Sequence, residues 1–188
     1  NNVELSLKLK KPKEIKKICI TTNGERLKSF NYTDSLMSSG ITHMNLSLMS
    51  LDEDKQKLIG NSNISLSMGE LERIRRISLA HNVDIRINNN IFKDNNDNKE
   101  DMFMFYMNLR DFCDSLKFSP LLKVDNFSVV NSPKEWVNSN ILSPEDYENL
   151  YKSFENVFKD YPIVRNPLTF GFVEYSMIML DTPIILNY

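Results

Sequence analysis

Two segments of this chain alternate apolar and polar residues without a break, and that alternation limits what the whole can fold into. In residues 42–50 (THMNLSLMS), Met44, Leu46 and Leu48 face one way and His43, Asn45 and Ser47 the other. In residues 83–91 (VDIRINNNI), Val83, Ile85 and Ile87 share one face, and Asp84, Arg86, Asn88 and Asn90 the other. Both read as strands with one polar face. A helix separates them. Ser67 and Glu70 form a capping box that opens it, and its apolar stripe is Leu71, Ile74, Ile77. Strands alternating with helices imply a parallel sheet with right-handed crossovers. An open doubly wound sheet buries both faces, so its strands read as nearly continuous apolar runs. A wholly apolar interior would leave His43, Asn45 and Ser47, or Arg86, Asn88 and Asn90, without partners. The pattern therefore predicts an α/β fold. Its form is a partial TIM-like barrel of mainly parallel strands with outer helices and a wet or ligand-filled interior. In such folds chemistry gathers at the C-terminal strand ends.

Other segments fill in the order. Residues 17–22 (KICITT) form a short β-branched strand ending at the turn signal Asn23-Gly24. A helix follows and stops at Gly40. Residues 95–98 are a polar loop, about 99–115 a helix rich in Met and Phe, and 116–122 (LKFSPLL) a strand ended by Pro120. The pattern over 124–140 is irregular. Ser143-Pro144 with Asp146 starts a helix whose apolar face is Tyr147, Leu150, Tyr151, Phe154, Val157 and Phe158. Residues 171–180 and 183–188 are further strands. No repeat or linker divides the chain. The expected organisation is one domain over 1–188, with core β/α units in 1–124 and a variable extension in 125–188.

Composition narrows the function. The chain has 188 residues with 23 basic and 25 acidic groups, so a net charge of -2 gives no general pull towards nucleic acid or anionic membrane. No apolar run reaches the roughly 20 residues of a membrane helix, and no signal-peptide pattern opens the chain; the expectation is a cytoplasmic protein. Two cysteines and two histidines build neither a disulfide framework nor a Cys/His metal cage, so no metal ligands are assigned. Ala80 is the sole alanine while Asn and Lys abound. That bias points to AT-rich coding and makes most Asn residues background. A start at Asn1 rather than Met reads as a processed or truncated product.

The strongest local signal joins ITTNGERL (20–27) to residues 42–50. Thr21 and Thr22 lie where one strand ends, and Ser47 towards the end of the next. On a shared barrel rim their hydroxyls and amides suit a ribose, a carboxylate or a phosphate. The plainer alternative is that Thr ends a strand, Asn-Gly turns, and Ser47 satisfies a carbonyl. Taken in order, the motifs resemble the radical S-adenosylmethionine (SAM) superfamily, nearest the molybdenum-cofactor GTP cyclase type. Thr21-Thr22-Asn23-Gly24 resembles the end of that family's third barrel strand, and Asn45-Leu46-Ser47-Leu48 the N-x-S-L pattern of its fourth. Arg86-Ile87-Asn88 resembles the fifth, Asn96-Asp97 the loop after it, and Phe118-Ser119-Pro120 the sixth. The likeness covers residues 15 to 125.

The resemblance implies a SAM site drawn from Thr21, Thr22, Ser47, Asn88 and Ser119. Thr21 and Ser47 would meet the methionyl or ribose part, Asn88 the ribose or carboxylate, and the backbone around Phe118 and Ser119 the adenine. It also implies a [4Fe-4S] cluster and a 5′-deoxyadenosyl radical, with thiolates holding the cluster and the protein positioning and shielding the cofactor. The family's CxxxCxxC loop and GGEP-like run are both missing. About two barrel strands are expected before Asn1, and the cluster only with that portion. The C-terminal cysteines and arginine-rich tail of the GTP cyclase are missing too, so GTP is not implied. Cys19 and Cys113 read as small core hydrophobes.

Substrate candidates are Arg86, Asn90 and Glu174. Arg86 suits an anion, or an internal pair with Asp84 or another carboxylate. Glu174 suits proton acceptance or substrate binding, or an outward-facing or paired acid. The basic run 8–17 suits phosphate or a solvated helix flank, and His43 reads as a satisfied interior residue. The expected function is thus the SAM-binding portion of a radical SAM enzyme, inactive without its cluster, acting on a small molecule or peptide. The rival is a cluster-less relative that binds a nucleoside or a protein. A third reading is a cluster-free barrel enzyme acting on a phosphorylated compound.

Overall fold

The computed structural model describes residues 16–121, 134–157, 162–167, 173–179 and 182–187. Phe158, most of the basic run 8–17 and residues 122–133 lie outside these. The strands are β1 (Cys19–Thr22), β2 (His43–Ser47), β3 (Asp84–Ile91), β4 (Ser115–Pro120), β5 (Ile163–Pro167), β6 (Val173–Met179) and β7 (Thr182–Asn187). The helices are α1 (Phe30–Ser38), α2 (Glu53–Gly60), α3 (Met68–His81), α4 (Lys99–Leu109), α5 (Lys134–Asn140) and α6 (Pro144–Val157). The strands hydrogen-bond in the order β1-β2-β3-β4-β7-β6-β5. The result is an α/β fold whose sheet is mostly parallel. β5 and β7 both run antiparallel to β6. Only two residues separate Met179 from Thr182, too few for a crossover, so β6 and β7 pair as a hairpin. Among the described residues no helix is long and apolar enough to cross a membrane.

The chain divides into two compact units, one comprising Asn1–Asn88 with Leu109–Ser115, the other Asn89–Asn108 with Leu116–Tyr188. In the first, β1, β2 and β3 are parallel. The alternation behaves as its period demands. Met44, Leu46, Ile85 and Ile87 are at most 1% exposed, whereas the intervening residues stay partly open to solvent. Buried Leu71, Ile74 and Ile77 of α3 add to this core. Both halves of the Ser67–Glu70 capping box form, and Asn82 ends α3 in the left-handed region at φ 53°. A clamp closes the unit: Arg75 donates to both Asp114 oxygens (2.6 and 2.9 Å), and the Ile85 N–H donates to Asp114 Oδ2 (2.7 Å).

The β1–α1 turn shows what the TTNG run does locally. The Gly24 N–H donates to Thr22 Oγ1 (3.1 Å) and the Glu25 N–H to Asn23 Oδ1 (3.2 Å). Gly24 has φ +85°, and a Cβ there would lie 2.4 Å from Leu66 Cδ1. Only glycine meets both demands.

In the second unit β4 pairs parallel with β7. Phe118 of β4 is fully buried, its ring 5.9 Å from that of Phe105 on α4. The helix expected over 99–115 is shorter. It stops at Leu109, and a 3-10 turn over Arg110–Phe112 leads to extended Cys113. Ser143 opens α6, its hydroxyl accepting the Asp146 N–H (3.1 Å). The face of α6 that carries Tyr147, Leu150 and Tyr151 is buried.

Candidate functional site

The polar face of β1–β3 in the first unit gathers the largest set of expected site residues. Thr21, Asn45 and Arg86 are register partners across the three strands. Asn45 Nδ2 donates to Thr21 Oγ1 (3.3 Å). Two positions on towards the C-terminal ends, Ser47 pairs with Asn88. Successive residues on a strand point to opposite faces. Thr22 therefore shares the side of its partners Leu46 and Ile87, and its hydroxyl is taken by the turn. The structure thus brings Thr21, Ser47, Asn88 and Arg86 to one face and sets Thr22 on the other. Asn45, which sequence reasoning left off the site, stands at the centre of that face. The alternation that placed Ser47 could have placed it.

Two buried atoms on this face have no hydrogen-bond partner, Arg86 Nε and Asn88 Oδ1. An unsatisfied buried polar group costs about 1–3 kcal/mol, and a pair side by side on one face invites a ligand. Asp84 engages His43 rather than Arg86, with Nε2 to Oδ2 3.2 Å. His43 Nδ1 lies 2.7 Å from Thr42 Oγ1. Both ring nitrogens of His43 are engaged, but its side chain is 31% exposed on the polar face, so it is satisfied without being the interior residue expected.

The remaining candidates belong to the second unit. Ser119 is partly buried on β4. Asn90 is partly buried on β3, and its carbonyl accepts Asn95 Nδ2 (3.0 Å). Asn96-Asp97 builds a turn: Asn96 Nδ2 donates to Asn89 Oδ1 (3.0 Å) and the Asp94 N–H to Asp97 Oδ2 (2.8 Å). Glu174 is the register partner of Asn166 and Asn187. It faces away from its neighbour Tyr175, whose ring lies 6.2 Å from that of Tyr151.

The described residues do not fit a [4Fe-4S] cluster. They contain no group of three or more His, Cys, Asp or Glu side chains placed to hold a metal. Cys113 is buried, and that burial, with Asp114 beside it, pushes its thiol up to about 12. A protonated thiol is not a ligand. Cys19 is exposed, because it lies on the polar face of an edge strand, which corrects its expected place in the core.

Scanned against models of known protein families, the chain matches none, and a search of curated proteins finds no relative.

Proposed function

We propose that the polar face of β1–β3 binds S-adenosylmethionine, and that this sheet is part of a TIM-like barrel of the radical SAM kind. The observation that carries the reading is the neighbouring pair of buried, unpartnered atoms, Arg86 Nε and Asn88 Oδ1. One needs an acceptor and the other a donor. The methionyl carboxylate offers the first, and its ammonium or a ribose hydroxyl offers the second. Ser47, the partner of Asn88, adds a hydroxyl at the same level. Thr21 and Asn45 already hydrogen-bond each other and form the floor. These groups hold and orient a nucleoside without placing an unengaged acid or base beside it.

Homolysis of SAM requires an iron–sulfur cluster, for which the described residues supply no ligand set, so binding is the activity proposed for this chain. The same observation favours a second reading, a cluster-less nucleoside-binding relative. Calorimetry separates them. SAM is expected to bind saturably, and Ser47→Ala and Asn88→Ala each to weaken it about five- to tenfold, the cost of one hydrogen bond. Adenosine binding as tightly as SAM selects the nucleoside module. Absence of SAM binding, or equal affinity in all three proteins, overturns the assignment.

A further inference from the structure

A cleft of about 730 Å³ lies in the second unit, just beyond the C-terminal ends of β3 and β4. Its volume is within the roughly 300–1,000 Å³ of small-molecule sites. The position is also where parallel sheets place their ligands. Pro120, Leu121, Ile141 and Leu142 supply apolar walls.

The polar atoms around it are largely spent on the protein. Tyr147 Oη donates to the Ile91 carbonyl (3.0 Å) and accepts the Leu121 N–H (3.1 Å). Ser143 Oγ donates to Asp146 Oδ2 (2.6 Å), which also accepts the Ser143 N–H. Lys93 differs. Its side chain is exposed, and of three ammonium hydrogens one goes to the Ser139 carbonyl (3.2 Å). The N-terminal end of α6 offsets the charge of Asp146 in its first turn.

We infer that this cleft binds a small amphiphile, an apolar chain or ring bearing an anionic group, with the apolar body between Leu121 and Leu142 and the anion on Lys93. The cleft's lining lies entirely in the second unit, so the inference stands apart from the SAM reading.

The test uses the full chain and three ten-carbon probes below their micelle concentrations: decanoate, decanol and decylamine. Calorimetry is expected to show saturable decanoate binding at least tenfold tighter than that of either other probe. Trp136, the sole tryptophan, packs edge-on against Phe92 beside Lys93 (ring centroids 5.3 Å), so its fluorescence should report the same event. Lys93→Gln, an exposed substitution, is expected to lower decanoate affinity about tenfold, leave decanol binding unchanged and leave SAM titrations unchanged. No binding of any probe, equal affinity for all three, tighter binding of the amine, or undiminished decanoate affinity in Lys93→Gln overturns the inference.

Discussion

Replacing Gly24 by alanine should destabilise the first unit by two separable routes. The backbone at φ +85° asks an L-residue to sit in the left-handed region, which costs about 1–2 kcal/mol. The added methyl would stand 2.4 Å from Leu66 Cδ1 and 3.0 Å from Leu46 Cδ1. Leu66 and Leu46 are 2% and 1% exposed, so their side chains can give way only by repacking within the core. Forcing an extra carbon into such packing costs about 1–3 kcal/mol. The sum is about 2–5 kcal/mol, large beside the usual 5–15 kcal/mol of a domain. A double-mutant cycle divides it. Leu66→Val removes the 2.4 Å contact, so in that background the cost should fall towards the backbone share of about 1–2 kcal/mol, the 3.0 Å contact with Leu46 Cδ1 remaining. Urea unfolding followed by far-UV circular dichroism on the four proteins gives both numbers. A Gly24→Ala cost below about 1 kcal/mol would refute the backbone argument, and additivity of the two substitutions would refute the steric one.

Asp114→Asn should cost about 2–4 kcal/mol by urea unfolding, because it strips charge from an acceptor serving Arg75 twice and the Ile85 amide once. An unchanged unfolding midpoint would show that the clamp adds nothing. Cys113 sets an alkaline limit. Its folded thiol ionises near 12, above its unfolded value. Between about pH 9 and 12 the unfolded state therefore loses a proton that the folded state keeps, and stability falls by about 1.4 kcal/mol per pH unit from this group. Cys113→Val should flatten that slope, and an identical slope in both proteins would contradict the assignment.

Legibility followed the range of the interactions. The capping box was readable because Ser67 and Glu70 satisfy each other three residues apart. So were the two faces of β2 and β3, since the period-two pattern carries the burial directly. Helix α2 was not, because it buries no residue and so writes no apolar stripe. β5 was missed for a related reason: four of its five residues are exposed. α5 has Val137 as its buried anchor and offers too little pattern. Within the site, Ser47 and Asn88 were visible from alternation. Thr22 was misplaced because a one-residue step on a strand moves a side chain through the sheet. The cleft was invisible: Lys93 and Leu142 are brought together only by tertiary structure.

The Asn23-Gly24 turn carries a consequence for chemical ageing. Asn-Gly pairs deamidate when the glycine nitrogen attacks the asparagine side chain to close a five-membered imide. Here that nitrogen is tied to Thr22 and the side-chain oxygen to Glu25, so folding holds the nucleophile off its target. Conversion at Asn23 should accumulate in proportion to the time the segment spends unfolded. Peptide mass spectrometry after incubation with and without urea reads that clock, and equal rates in both would show that the turn gives no protection.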